Sequence, residues 1–551
     1  MKKYFLAKNS SRADSYGIGT YIQQTIYCVK NYMPQYELSI VDLDCDVANF
    51  IVRKDNDGVT HYLVPMNKTC NDRILYYRYV LFLLEPYIGN RLDIFHFNHH
   101  QHFDLMRLVK EQIPSCRLVY TVHYLDWCFL LNGNVNQFCR IISEKNYEDD
   151  VNRKVLNDFI KTQIILALCD NVIVLSKWTY KLLSKYYCIS KSKLYLAYNG
   201  LFETPITDNT LCGDNKRKEI LYVGRLDNIK GIMYLLKAFK QICAADDNVH
   251  LTLVGDGDFG AFLPLCQGVW DRVTFTGKIS RTILEHFYRN TTIGVQPSFH
   301  EQCSYSAIEM MAHGIPLIAT DTTGLAEMMD ATPENIVRIE DDFHPEAFVY
   351  ELARKIHYLL YNEKLRKKTS IRQFELYQKR YSPDYLKSTY YTLNGLFSKE
   401  IKGFVSKDFL PILDNEMVRL IDERPDIDYD LDGFSGIGCY LWWRILSLSK
   451  KRNKDCIWQY TRLQEHMIYY VDWLYDMLIQ GNSNSLSISH DIHALQWLLS
   501  ELHNKGFYKT RIDSILKLIN NLGINHDGRR QFRCKKQLFI KCALTIYNLK
   551  Y

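Results

Sequence analysis

The sequence predicts an α/β protein made of two doubly wound Rossmann-like domains followed by an all-α domain. Three observations predict this architecture. Short runs rich in β-branched and aromatic residues alternate with segments of helical period from residue 3 to residue 198. The same alternation restarts near residue 220 with greater regularity. From residue 404 onward the strand pattern fades and helical periods continue alone.

The first part of the chain has six predicted strands, with helix-length segments such as 74–84 and 155–167 between them. The strands are 4–7, 38–41, 94–97, 118–122, 172–175 and 194–198. This alternation is typical of βαβ units, in which a parallel sheet carries helices on both faces. The polar stretch 207–218 has no apolar period and predicts a linker.

The second part repeats the pattern with five predicted strands, 220–223, 251–254, 273–276, 293–296 and 316–319. Helical spacing of Trp, Leu and Ile follows in the windows 456–479, 491–502 and 511–519. These patterns divide the chain into four predicted parts. They are a first Rossmann-like domain at 1–203, a second at 204–381, a connecting helix at 382–400 and an α-helical accessory domain at 401–551.

Composition excludes several classes of protein. The 551 residues are 47% apolar and 24% charged, which is ordinary for a folded soluble protein. The net charge of +6 is too small and too evenly spread to favour a nucleic-acid partner. No apolar run approaches the roughly 18 residues of a membrane span. The sixteen cysteines form no CxxC pair, which favours free thiols in a reducing, cytoplasmic compartment.

The first candidate site is the glycine pair in residues 17–21, Gly-Ile-Gly-Thr-Tyr, between the first predicted strand and its helix. Glycines at this place let the backbone approach a phosphate, and the helix start supplies unpaired N–H groups. A tight strand-to-helix turn without a ligand would look the same. The dinucleotide fingerprint requires a third glycine where Ile22 stands, which argues against a Rossmann oxidoreductase.

The second candidate site is the loop 224–231, Gly-Arg-Leu-Asp-Asn-Ile-Lys-Gly, which follows the first strand of the second domain. Arg225 and Lys230 are long enough to converge on one diphosphate at the carboxyl end of the sheet, where ligands bind in such folds. The flanking glycines suit a close approach of the backbone. A solvated basic loop is the alternative.

The third candidate site contains Glu301 and Glu309, on either side of a helix start predicted near Cys303. At 1.5 Å per residue, Glu309 lies roughly 9 Å along the helix axis from that start. Two carboxylates so spaced can accept hydroxyls at the two ends of a nucleotide sugar, with the N–H groups of the helix start at the diphosphate between them. The alternative is a helix cap followed by a surface glutamate.

Five blocks occur in a fixed order between residues 224 and 316 of the second domain. They are Gly224-Arg225 with Lys230-Gly231, residues 253–257, residues 275–277, Glu301 with Glu309, and residues 311–316. In order and spacing these blocks closely resemble the family 4 retaining glycosyltransferases of GT-B fold. The resemblance extends more loosely over residues 1 to about 398, and 385–397 is similar to the helix that crosses back onto the first domain in GT-B enzymes.

The resemblance implies a set of donor-binding residues: Gly19, Arg225, Lys230, Cys303, Ser304 and Glu309. Arg225 and Lys230 would hold the donor diphosphate, and Gly19 would lie against it from the other domain. Glu309 would accept the ribose hydroxyls. The second domain would therefore bind the nucleotide sugar, and the first domain would face the acceptor.

The resemblance also implies two catalytic residues, His123 and Glu301. His123, at the end of the strand 118–122, is similar to the histidine that lines the sugar pocket of the family. Glu301 would accept hydroxyls of the transferred sugar. The family often has glycine where Gln302 and Ser304 stand, which leaves the donor sugar open.

Four histidines stand at spacings that metal sites also use: His96, His99, His100 and His102. No neighbouring Cys or carboxylate set completes a zinc shell, so we predict no metal. GT-B enzymes of this kind generally work without a bound divalent ion, because cationic side chains and a helix dipole neutralise the leaving diphosphate. No cofactor is predicted beside the nucleotide-sugar substrate.

Residues 430–441 in the C-terminal region faintly resemble the helix starts of lanthionine-cyclase-type toroids, without their zinc ligands. We expect a module that binds a peptide or protein acceptor or makes a homodimer. Helices that merely pack on the catalytic domains are the alternative.

The sequence thus predicts a retaining, metal-independent glycosyltransferase that moves a sugar from a nucleotide sugar to a glycan, a lipid-linked glycan or a peptide. Two alternatives stay open. One is a catalytically idle GT-B scaffold that binds a peptide or protein partner, and the other is a GT-B epimerase of nucleotide sugars. Peripheral contact with the inner face of the membrane also stays open.

Overall fold

The computed structural model divides the chain into two compact units, Met1–Phe404 and Val405–Tyr551. The structure describes residues 2–9, 17–66, 73–89, 93–113, 115–144, 149–187, 189–203, 217–339, 343–399, 410–424, 434–449, 454–479 and 492–521. Most of the linker predicted at 207–218 lies outside these residues. The first unit contains two separate sheets, as the alternation of periods predicts.

The first sheet has eight strands in the order β3-β4-β2-β1-β5-β6-β7-β8. They are β1 (Lys2–Asn9), β2 (Tyr36–Cys45), β3 (Ile51–Lys54), β4 (Thr60–Pro65), β5 (Ile94–Phe97), β6 (Arg117–Val122), β7 (Asn171–Val174) and β8 (Leu194–Leu196). All neighbours pair in parallel except β3, which runs antiparallel to β4. The six predicted strands are all present, whereas the edge strand β3 and its neighbour β4 were not predicted.

Seven helices accompany this sheet in the described part of the chain. They are α1 (Gly17–Tyr32), α2 (Arg73–Leu84), α3 (Phe103–Gln112), α4 (Trp127–Leu130), α5 (Val135–Glu144), α6 (Asp150–Leu168) and α7 (Lys177–Lys185). Side chains set where some of them begin: Asp149 accepts from the N–H of Asn152 before α6, and Ser176 accepts from Thr179 before α7.

The second sheet has six parallel strands in the order β11-β10-β9-β12-β13-β14. They are β9 (Lys218–Val223), β10 (Val249–Val254), β11 (Val273–Gly277), β12 (Ile293–Gln296), β13 (Leu317–Thr320) and β14 (Ile336–Val337). The helices are α8 (Ile232–Cys243), α9 (Arg281–Asn290), α10 (Tyr305–Ala312), α11 (Thr323–Met328), α12 (Pro345–Tyr361) and α13 (Glu363–Arg380). The two-residue strand β14 was not predicted.

A further helix, α14 (Pro383–Phe397), leaves the second domain and returns to the first. The hydroxyls of Tyr390 on α14 and Thr25 on α1 are 3.1 Å apart and buried. Leu386, Leu393 and Phe397 bury the apolar face of α14 in the core that the two domains share. The chain therefore joins its two sheets at a second place besides the linker.

The second unit is helical in its described residues. Its helices are α15 (Leu410–Glu423), α16 (Phe434–Leu448), α17 (Lys454–Ile479), α18 (Ile492–Asn504) and α19 (Lys509–Asn521). Arg444 donates to both carboxylate oxygens of Asp414, at 2.6 and 2.5 Å, and both side chains are buried. The motif at 430–441 begins among residues outside the described set, so the toroid stays a prediction. No described helix has both the length and the apolar content needed to cross a bilayer.

Candidate active site

The strand orders place the candidate residues at a topological switch point of each sheet. β9 lies between β10 and β12, and the chain progresses outward in opposite directions on its two sides. The loop with Arg225 and Lys230 follows β9, and the loop with Glu301 follows the neighbouring strand β12. In open α/β sheets the crevice beyond the carboxyl ends of such strands is where ligands bind.

Lys230 and Glu301 form a direct ion pair in this crevice. The Nζ of Lys230 donates to Oε1 of Glu301, although 71 residues separate them in sequence. Their side chains are 15% and 17% exposed, so solvent screens the pair only in part. The structure therefore brings together one residue of the second candidate site and one of the third.

Close packing of the two loops depends on Gly231. Its φ of 71° is left-handed, and a Cβ there would lie 2.1 Å from the carbonyl oxygen of Pro297. Just beside it, the N–H of Phe299 donates to the carbonyl of Ile229 at 2.7 Å. Gly231 was expected to let the backbone approach a phosphate. In the structure it allows the loop 224–231 to pack closely against the loop after β12.

Threonine hydroxyls from the end of β13 and the start of α11 hold the loop that carries Glu301. The donors and carbonyl acceptors are Thr320 to Ser298, Thr322 to Phe299 and Thr323 to Glu301. The N–H of Glu301 also donates to Thr323 Oγ1 at 3.0 Å. Thr323 has a φ of 38°, which is strained for a β-branched residue. Such strain is retained where surrounding contacts over-determine a position, and here the position is that of Glu301.

Arg225 lies on the same loop as Lys230 but has a different partner. Its Nη2 is 3.1 Å from Oδ2 of Asp227, and the two side chains are 39% and 35% exposed. An ion pair this exposed is worth little, so the guanidinium can exchange Asp227 for a stronger anion at small cost.

Glu309 is buried in the second turn of α10, with partners supplied by α9. Arg281 donates to its Oε1, and the Tyr288 hydroxyl donates to its Oε2 at 2.5 Å. Burial and the Glu309 carboxylate hold the pKa of Tyr288 well above its usual range, so its proton stays on the phenol. The expected contact of Glu309 with ribose hydroxyls would use the remaining lone pairs of these oxygens.

Cys303 and Ser304 stand before α10, which begins two residues later than predicted. Ser304 is the N-cap, and its hydroxyl accepts from the N–H of Ala307. The carbonyl of Cys303 accepts a bond of 2.7 Å from Nδ2 of Asn199 in the first domain. Burial raises the pKa of the Cys303 thiol, which makes it a packing group rather than a nucleophile.

Gly19 lies in the first turn of α1, at the switch point of the first sheet, where β1 separates β2 from β5. One turn further along α1, Gln24 Oε1 accepts a 2.8 Å bond from the hydroxyl of Tyr305, the first residue of α10. The starts of α1 and α10 therefore belong to the same region of the cleft.

His123 directly follows β6, as predicted. Its Nε2 is 3.0 Å from Oδ1 of Asn98, and its ring meets that of Tyr21 edge to face at 4.7 Å. An amide oxygen only accepts, so Nε2 carries the proton and Nδ1 keeps a lone pair. Burial, and to a smaller extent His99 and His96, lowers the pKa of His123 well below its usual value. The ring is neutral, and its Nδ1 can accept a hydrogen bond from a hydroxyl group.

Of the four histidines at metal-like spacings, His99 and His102 meet edge to face at 5.6 Å, whereas His96 and His100 have other partners. His96 contacts Tyr4 and Thr121, each at 2.7 Å, whereas His100 pairs with Asp126 at 3.0 Å. His102 is fully buried, and burial lowers its pKa to about 3. In the portion of the chain that the structure describes, no three His, Cys, Asp or Glu side chains are grouped to hold a metal ion. Independence from metal stays a prediction.

Arg281, Tyr288 and Thr323 were not found from the sequence. Arg281 and Tyr288 lie on α9, where no motif marks them, and they reach Glu309 through tertiary packing. Thr323 could have been suspected only as the last of the three threonines Thr320, Thr322 and Thr323, which begin at the end of β13.

Two family models match the chain, one on each sheet. The model described as Glycosyltransferase Family 4 matches residues 35–201, and the one described as Glycosyl transferases group 1 matches residues 217–361. Together they cover more than half of the chain.

Curated relatives agree with this over shorter stretches. An uncharacterized glycosyltransferase of Methanocaldococcus jannaschii is 27% identical over 235 residues, which are 38% of this chain and 59% of that protein. A GDP-mannose-dependent alpha-mannosyltransferase of Mycolicibacterium smegmatis is 29% identical over 140 residues, 25% of this chain and 35% of that protein. The chain thus spans between 35% and 59% of the length of these relatives.

Solved structures match a larger share of the chain. Sucrose-phosphate synthase of Thermosynechococcus elongatus has a TM-score of 0.56 at 19% identity, over 72% of this chain and 98% of that one. A glycosyltransferase of Rickettsia africae has a TM-score of 0.51 at 15% identity, over 72% and 99%. At this identity the likeness shows the fold. The chain therefore belongs to the family 4 glycosyltransferases of GT-B fold.

Proposed function

We propose that the chain is a retaining glycosyltransferase that moves a sugar from a nucleotide-sugar donor to a glycan, a lipid-linked glycan or a peptide. The observation that carries this proposal is the ion pair of Lys230 and Glu301 at the switch point of the second sheet. A cation for a diphosphate and a carboxylate for sugar hydroxyls are what a nucleotide sugar requires at that place. Family membership supports the retaining outcome.

Binding of the donor would exchange the partners of Lys230. A diphosphate carries more charge than one carboxylate, so it competes for the ammonium group and frees Glu301 Oε1 for hydroxyls of the sugar. The threonine bonds keep the backbone of Glu301 fixed during this exchange. In the protein without donor, the ion pair would thus keep Lys230 and Glu301 near the positions that they take up with the donor. This would reduce the reorganisation of the site on binding.

The reaction breaks the bond between the anomeric carbon and the diphosphate oxygen, and the electron pair leaves with the diphosphate. Arg225, Lys230 and the N–H groups at the start of α10 neutralise that charge. The acceptor oxygen forms the new bond on the same face of the sugar and passes its proton to the departing phosphate oxygen. No strong base is needed among the side chains, in agreement with the neutral ring of His123.

His123 would orient the sugar from the first domain. The lone pair on Nδ1 would accept a hydrogen bond from a sugar hydroxyl, and the bond from Nε2 to Asn98 fixes the ring and its tautomer. His123 and Glu301 would therefore approach the sugar from opposite sides of the cleft, and neither needs a bound metal ion.

Binding of nucleoside diphosphates tests the proposal directly. Calorimetry of the full chain with UDP, GDP and ADP should show micromolar to millimolar binding of at least one of them. A panel of sugars on that nucleotide should then show slow donor hydrolysis without acceptor. Absence of binding by all three nucleotides would contradict the proposal and favour the catalytically idle scaffold. A changed stereocentre in recovered donor, without transfer, would identify an epimerase instead.

A further inference from the structure

Every second residue from 298 to 302, in the loop after β12, has a buried polar side-chain atom without a hydrogen-bond partner in the described structure. These atoms are Ser298 Oγ, both ring nitrogens of His300, and Gln302 Nε2. The three side chains are at most 5% exposed. Burying such groups unpaired costs free energy, and native proteins keep few of them. A cluster of them beside Glu301 therefore points to a polar ligand at this part of the cleft.

Successive side chains of this loop point in opposite directions. Glu301 turns toward Lys230 of its own domain, whereas His300 and Gln302 turn toward the first domain. Gln302 Oε1 accepts from the hydroxyls of Ser176 and Thr179. His300 lacks such hydroxyl partners and faces aromatic rings instead.

His300 lies between two aromatic side chains of the first domain. Its ring is 6.2 Å from that of Phe129 and 6.3 Å from that of Trp178, and both contacts are edge to face. The ring of Phe129 is also 5.8 Å from that of Tyr124, the residue after His123. Aromatic rings thus connect the loop of His123 with the loop of Glu301, and Phe129 keeps 43% of its surface exposed.

The charge state of His300 defines the class of ligand. Burial, with the positive charge of Lys230 as a smaller contribution, lowers the pKa of His300 to about 3. The neutral ring offers one donor and one acceptor, which match hydroxyl groups better than an anion. Lys230, the nearby cation, is already paired with Glu301. Aromatic faces beside a neutral donor and acceptor fit a sugar ring, which has apolar C–H faces and a polar rim.

We propose that His300, Phe129 and Trp178 form a subsite that binds one sugar ring next to the reacting centre. The inference rests on the proposed function and deepens it, because it assigns a carbohydrate to the acceptor side of the cleft. The aromatic rings and the neutral His300 could equally recognise the sugar ring of the donor. The experiment therefore tests an acceptor sugar and a donor sugar separately.

The test uses the full chain and saturation-transfer difference NMR with simple probes. Methyl glycosides of glucose, galactose, mannose and N-acetylglucosamine, with UDP or another bound nucleoside diphosphate present, report an acceptor ring. Nucleotide sugars compared with the free nucleotide report a donor ring. Three variants are compared: His300→Phe removes the nitrogens but keeps a ring, Phe129→Ala removes the exposed ring, and His286→Phe changes an exposed histidine on α9 as the control.

We expect at least one methyl glycoside to bind the wild type and the control, and to bind His300→Phe and Phe129→Ala about tenfold more weakly. Nucleotide affinity and melting temperature should stay unchanged in Phe129→Ala, which decides the matter if His300→Phe does not fold. A loss confined to the nucleotide sugars assigns the subsite to the donor ring. Unchanged affinity for every sugar in both variants overturns the proposal, and so does a lack of glycoside and donor-ring binding at about 50 mM while the nucleotide still binds.

Discussion

Replacement of Lys230 by alanine removes the cation on which the donor site depends. A charge-assisted contact of this kind is worth about 1.5 to 3 kcal/mol, which corresponds to about a 10- to 150-fold loss of affinity for a nucleoside diphosphate. The side chain is 15% exposed, so little of that energy is lost to solvent screening. We expect the dissociation constant to rise and transfer to slow together, since the same contact stabilises the departing diphosphate.

The ion pair with Glu301 adds a second effect that distinguishes this site from an isolated basic residue. In Lys230→Ala the Glu301 carboxylate loses its partner and repels the incoming diphosphate. The double variant Lys230→Ala with Glu301→Gln should therefore bind the nucleotide more tightly than Lys230→Ala alone. A double-mutant cycle measures this coupling.

Calorimetry gives the dissociation constant, and steady-state transfer gives kcat/KM with the donor that the sugar panel identifies. The matched control is Lys240→Ala. Lys240 is exposed and lies on α8, the helix that follows the loop with Lys230. Nucleotide affinity and kcat/KM equal to those of the control would refute the assignment of the diphosphate site. Loss of both in the control as well would show that general charge, not this contact, attracts the donor.

Three further predictions concern catalysis, metals and pH. Glu301→Gln should lower turnover and leave nucleotide affinity unchanged or tighter; selective loss of nucleotide binding would mean that the two glutamates are misassigned. Excess EDTA should leave most transfer activity, and complete inhibition would favour a metal among His96, His99, His100 and His102. Burial, then the Asp126 carboxylate, raises the pKa of Asp158 from 3.8 to about 7. The folded state therefore loses stability as pH rises from about 4 through 7, and Asp158→Asn should gain in melting temperature over the wild type between pH 5 and 8, whereas a constant gap would contradict this shift.

Sequence patterns were sufficient to predict the bounds of an element wherever all of its residues share one environment. β5 and β12 have the predicted bounds, because each is a short run with β-branched or aromatic residues that is buried on both faces. Lys230 and Glu301 were assigned to one donor through the resemblance to the family, and both follow strands of a parallel sheet, which end at the same edge. Their direct ion pair was not predicted.

Edge strands and tertiary contacts lie beyond this kind of reasoning. All four residues of β3 are exposed, so no apolar pattern marks it, and β14 is only two residues long. The contacts of Glu309 depend on how α9 packs beside α10, which no local period encodes. The strained φ of Thr323 follows from the loop that it supports and not from its own preference.

Gln302 shows what the departure from the family pattern means physically. Glycine, which often stands at this position in the family, has no side chain, whereas Gln302 reaches two hydroxyls at the start of α7 in the first domain. On the same helix start, Glu327 accepts from the N–H of Lys177 at 2.7 Å, where a carboxylate is favoured by the helix dipole. Two side chains of the second domain thus hold the first domain beside the Glu301 loop before any donor binds. In the proposed reaction, these contacts would reduce the entropy that is lost when the two domains are ordered around the donor, and the Gln302 side chain fills space that a glycine would leave open.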